Sequence, residues 1–142
     1  MKKLPHKFAL LAGAILLASC STMQNMMPGS GAVKLTGANE VPANTSSATG
    51  SGTVTVADDH SVKADITVTG MTATAAHIHE AAAGANGKVI VPLTKEGDNH
   101  FVTPAGAKLT QEQYDAYKAG NLYVNVHSAA HPGGEVRAQL AP

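Results

Sequence analysis

One cysteine, no tryptophan and only five other aromatic side chains stand among 142 residues. The lone cysteine, Cys20, excludes an internal disulfide even in an oxidising compartment, so the fold has to stand on its core or on a metal. Without tryptophan that core is built from Val, Ala, Ile and Leu, and is therefore thin and tightly packed. Basic clusters are also missing. Of ten Lys and Arg, three fall in the first nineteen residues, whereas none of the ten Asp and Glu do; seven against ten leaves −3 with neutral histidines. Such a charge excludes the electrostatic footprint of a nucleic-acid binder. No serine or cysteine nucleophile motif is visible, which makes hydrolysis the weakest catalytic reading. The one long apolar run, "FALLAGAILLA", is too short to cross a bilayer comfortably.

That run belongs to a leader. Lys2, Lys3 and Lys7 precede it and "LASC" ends it, the pattern of a bacterial lipoprotein signal peptide over residues 1–19. Cleavage before Cys20 makes that cysteine the diacylglycerol-bearing, N-acylated first residue, and several acyl chains hold a protein to a bilayer stably where one is marginal. Ser21 after the cysteine directs such a protein to the outer membrane. Residues 20–32 read as a flexible tether rich in Ser, Gly and Pro. Met23, Met26 and Met27 in it offer thioether sulfur for cuprous ion, but no other soft ligand lies nearby and a plain linker is the expectation.

Residues 33–142 suit one domain. "AVKLTG", "SGTVTVA", "SVKADITVTG", "AAHIHE", "KVIVPL", "NLYVNVHS" and "GEVRAQL" are short, alternating and separated by turn residues. They predict an all-β domain, an antiparallel Greek-key or immunoglobulin-like β-sandwich. One short helix interrupts the strands in "KLTQEQYDAYKAGN". Thr110 caps it, Gln113 reaches back, Leu109 staples against Tyr114, and Lys118 and Gly120 end it. Its expected task is to cover an edge or end of the sandwich.

Six histidines follow the leader: His60, His77, His79, His100, His127 and His131. Alternation along a strand puts His77 and His79 on one face with Ala75, and Ala76 and Ile78 on the other. Two imidazoles at i and i+2 form a bidentate arm for Cu(II), Zn(II) or Ni(II). Leu122, Val124 and Val126 take the core side of their strand, which turns Tyr123, Asn125 and His127 the other way, so His127 offers a third nitrogen. His131, in the loop that follows, is placed to complete or gate the site. A second role stays open for His77 and His79: hydrogen bonds to the backbone of the loop "AAAGANG". Glu80 lies on the wrong face to be a ligand, and His60 and His100 sit in turn regions as solvated non-ligands.

The segments "LTGANEVPA", "GMTATAAHIHEAAAGANGKVIVPL" and "LYVNVHSAAHPGGEVRAQL" resemble, in that order, the CHRD domain, a chordin-type module of animal chordins and many small exported bacterial proteins. The resemblance runs from about Val33 to Leu140. It implies an immunoglobulin-like or Greek-key sandwich and no catalytic activity, with His77, His79, Glu80, His127, Gly133, Gly134, Glu135 and Arg137 carrying the recurring polar positions. Glu135 and Arg137, two apart on one face, are expected to pair with structural neighbours. "HIHE" is also similar to the copper-binding H-x-H strand of Cu/Zn superoxide dismutases. The chain lacks their cysteine pair and their zinc loop, so what carries over is the geometry of a strand-borne copper arm and not the dismutase reaction.

The expectation is therefore a lipid-anchored envelope protein that binds a transition metal through His77, His79 and His127, with His131 nearby. Copper leads by the Irving–Williams order at an all-nitrogen site, with zinc as the alternative. Sequestration, delivery or resistance needs binding alone. The rivals are a non-catalytic interaction module with structural histidines and a dismutase-like redox enzyme. Implied partners are the ion, the membrane through the anchor, and a second copy of the chain or another envelope protein.

Overall fold

The computed structural model describes residues 31–142. The leader, the lipidation site Cys20 and nearly all of the tether lie outside the described residues. The chain forms β1 (Ala32–Thr36), β2 (Thr49–Val56), β3 (Val62–Thr69), β4 (Ala73–Glu80), β5 (Lys88–Pro92), β6 (Thr94–Gly97), β7 (His100–Val102), α1 (Gln111–Lys118), β8 (Leu122–Ser128) and β9 (Val136–Gln139). Every strand pairing is antiparallel, and the sheet runs β5-β4-β8-β9-β1-β2-β3-β7-β6. Its two edge strands, β5 and β6, are consecutive in sequence and separated only by Leu93. One sheet therefore rolls around on itself, and the all-β fold with one helix is as the patterning predicts.

Period-two alternation makes the core. In β3, Val62, Ala64, Ile66 and Val68 are buried and the residues between them exposed. Leu35, Phe101, Val124, Val126 and Val136 meet them in one cluster with Ala76 and Ile78 of β4. These small and β-branched side chains pack at close range and replace the volume that tryptophan would supply. The sequence signals miss β6 and β7. All four residues of β6 are exposed, so no buried face writes an apolar alternation into "TKEG". The β6–β7 turn instead relies on Asn99 in the left-handed region (φ 60°), which asparagine tolerates.

The helix is capped as expected. Gln113 N–H donates to Thr110 Oγ1 at 3.2 Å, and Thr110 N–H donates to Gln113 Oε1 at 2.9 Å. Gly120, at φ 77°, lets Asn121 N–H return to Ala116 O at 2.8 Å and close the helix end. Tyr114 stacks on His60 of the β2–β3 turn, ring centroids 4.2 Å apart, so the helix covers that end of the rolled sheet.

Candidate metal centre

Register builds the site. In the β4–β8 ladder Ala75 faces His127, His77 faces Asn125 and His79 faces Tyr123; in the β8–β9 ladder Asn125 faces Arg137 and Tyr123 faces Gln139. Alternation turns all of these away from the apolar core, yet Asn125, Tyr123, Arg137 and His79 are buried. The loop of residues 81–87 is tied down over this polar face by Arg137, which donates to Ala85 O at 2.8 Å and to Asn86 Oδ1 at 3.3 Å, while Gln139 donates to Ala81 O at 2.9 Å. Arg137 also lies flat on the Tyr123 ring at 3.4 Å. His79 stacks parallel to Tyr123, with centroids 4.8 Å apart.

His77, His79 and His127 converge, and one ring nitrogen from each lies within 4.8 Å of the others. The His79 Nδ1 to Gly87 O distance is 3.0 Å. A carbonyl only accepts, so Nδ1 carries the proton and Nε2 presents a lone pair. That Nε2 is buried without a hydrogen-bond partner. His127 repeats the pattern, with Nδ1 donating to Pro132 O at 3.0 Å, and its Nε2 lies 3.0 Å from His77 Nδ1. Imidazole–metal bonds of about 2.0 Å set nitrogen spacings of about 2.9–3.4 Å around one ion, so the His77–His127 pair already has ligand spacing. An ion bound there would take the place of the proton between the two rings, and His77 would stay neutral by carrying its own on Nε2. Backbone carbonyls that fix the far nitrogen of two rings are the usual support of metal-bound imidazole. Burial pushes the titration of His77 and His79 below the ordinary histidine value, His127 adding to the effect at His77. Both rings are thus kept in the neutral form that binds metal.

Both roles left open for His79 coexist, because Nδ1 holds the loop while Nε2 stays free. His131 is not brought to the cluster. Its backbone closes the loop, with N–H donating to Ser128 Oγ at 3.1 Å and O accepting from Gly134 N–H at 3.0 Å, and its ring acts on Glu40 and Glu135 instead. Glu80 stays out and approaches Lys88 at 3.7 Å. His100 opens β7 and pairs with Asp65 at 3.0 Å. Glu135 accepts from Ser46 Oγ at 2.6 Å, so it and Arg137 serve different neighbours. Parity alone places Asn125 and Tyr123 on the side away from the core with His127, and it does not bring Arg137 to them; the burial of all three depends on loops whose path the sequence does not spell out.

The CHRD domain family profile matches residues 32–140 of the chain. Neither the curated proteins nor the solved structures gave a match.

Proposed function

Because the chain belongs to the CHRD domain family over residues 32–140, and because three imidazoles of that domain converge, we propose that it binds a single transition-metal ion through His77, His79 and His127. Copper is the first candidate and zinc the second, since an all-nitrogen site gives Cu(II) the greatest affinity among the common divalent ions. The proposed role is sequestration, delivery or resistance in the bacterial envelope, on a protein lipidated at Cys20. Binding alone performs that role, and it asks for no base or nucleophile.

The observation that carries this reading is the buried Nε2 of His79, which has no hydrogen-bond partner and belongs to the cluster with His77 and His127. Leaving a buried polar atom unpaired costs about 1–3 kcal/mol, a cost that an ion removes. Titration of the chelator-stripped protein with Cu(II), followed by nitrogen hyperfine structure in the paramagnetic resonance spectrum, tests it. One equivalent is expected to bind. Unchanged affinity in the His77→Ala/His79→Ala double variant would sink the reading and put a scaffold or interaction role in its place.

A further inference from the structure

Three buried side-chain atoms among the described residues lack a hydrogen-bond partner: His79 Nε2, Asn125 Oδ1 and Glu40 Oε1. Two of them belong to the histidine face. Asn125 sits directly opposite His77 in the ladder, two residues before His127 on the same strand, and only 2% of it is exposed. Side chains directly opposite across a ladder have Cβ atoms about 4.5–5.5 Å apart, so its amide is in the midst of the imidazoles.

The amide has two ends, and its surroundings differ at each. Gly134, at φ 129°, leaves room beside Asn125 Nδ2 and Glu40 Oε1; a Cβ there would collide with both. The nitrogen thus lies on the carboxyl side. The oxygen is the other end of the amide, buried without a hydrogen-bond partner on the strand face that carries His77 and His127. His79 has its proton on Nδ1, held by Gly87 O, so two buried lone pairs without a partner, Nε2 and Oδ1, lie on the same polar face of neighbouring strands. Two acceptors in that relation call for a cation.

Resting on the copper reading above, we infer that Asn125 Oδ1 is the fourth ligand, which makes the centre a three-nitrogen, one-oxygen site selective for divalent ions over Cu(I). An amide oxygen is a hard donor that stabilises Cu(II) and Zn(II) and adds little for the soft monovalent ion. Gly134, where a Cβ would meet the amide nitrogen, leaves room for that orientation.

The test uses the full chain. Cu(II) and Cu(I) affinities are measured for the parent, Asn125→Ala and Asn125→Asp, and electron–nuclear double resonance is recorded on Cu(II)-loaded parent made with asparagine carrying carbon-13 at the carboxamide. Loss of the oxygen is expected to weaken Cu(II) binding by about 10- to 100-fold and to leave Cu(I) binding nearly unchanged. The aspartate is expected to restore or exceed parental Cu(II) affinity, and the labelled parent to show a carbon-13 coupling lost in Asn125→Ala. Parental Cu(II) affinity in Asn125→Ala together with no coupling in the labelled parent overturns this inference and leaves the three-histidine reading standing. Absence of copper binding in the parent overturns both. If the alanine variant fails to fold, the labelled parent decides alone.

Discussion

At the scale of single residues the site is a matter of which nitrogen carries a proton. The parity of "HIH" and of "YVNVH" was enough to put three imidazoles on one face, because strand alternation is a covalent fact of the backbone. It could not show that Gly87 O and Pro132 O would each claim an Nδ1, since those carbonyls come from loops. These bonds leave both Nε2 lone pairs committed to the same region. Burial lowers the titration of His77 and His79, and the sign of its consequence follows from linkage. Between the lowered folded value and the unfolded value of about 6.5, the unfolded chain binds more protons, so the stability of the metal-free domain is intact above about pH 6.5 and falls as the pH drops below it. Glu40, raised by burial, works in the opposite sense, and its contribution belongs nearer the ordinary carboxylate range. Denaturant midpoints measured from pH 8 to pH 5 on chelator-stripped protein are expected to decline below about 6.5, and His79→Ala to make that decline shallower. An equal slope in the two proteins would assign the acid sensitivity to other groups. Copper affinity is expected to fall in the same direction, while His60→Ala, whose ring stacks on Tyr114 and is not part of the cluster, keeps parental affinity.

At the scale of elements, two local devices can be separated by what they do to the metal. The helix end is legible in the sequence because capping is local: Thr110 and Gln113 are three residues apart and satisfy each other's backbone. Thr110→Ala is expected to lower stability by about 1 kcal/mol and leave copper affinity as it was, read from denaturant unfolding beside a copper titration. A loss of affinity would mean that the helix supports the site. The loop of residues 81–87 is held from a distance, and that is why its role escaped the sequence. Arg137, 52 positions beyond Ala85, reads locally as a strand residue that pairs with structural neighbours, but it is 1% exposed and its guanidinium spans the loop carbonyls and the Tyr123 face. Gly87 is tied to the same assembly through its N–H, which donates to Tyr123 Oη at 3.2 Å. Replacing Arg137 with methionine keeps the stem and removes the charged donors, which is expected to cost about 2 kcal/mol. It is also expected to weaken copper binding, because the Gly87 carbonyl then no longer fixes His79. The two variants together make a contrast. Equal copper affinity in both would show that loop order is not needed to hold the imidazole.

At the scale of the whole molecule, the rolled sheet has one apolar interior and, outside it, a polar face sealed by a loop, and only the first of these layers has a plain sequence signature. Apolar alternation announces the core. The second layer is polar by composition and buried by topology, so its residues read as surface until the loop path is known. The proposed link between this domain and a membrane lies in residues outside the described structure. Among the described residues no helix is long and apolar enough to cross a bilayer, and the proposed attachment is at Cys20. The proposed three acyl chains there would hold the chain far more firmly than a single chain does, since each buried CH₂ contributes about 0.8 kcal/mol. Cys20→Ser removes the acceptor atom without touching the domain. The variant is expected to appear in the aqueous phase after detergent phase separation, whereas the parent partitions with detergent and takes up labelled fatty acid. Because the proposed copper ligands belong to a domain that begins after the tether, the soluble variant is expected to bind Cu(II) with parental affinity. Continued detergent partitioning of Cys20→Ser would remove the lipid anchor from the reading, and soluble protein that has lost copper binding would place part of the metal site in the segment between Cys20 and β1.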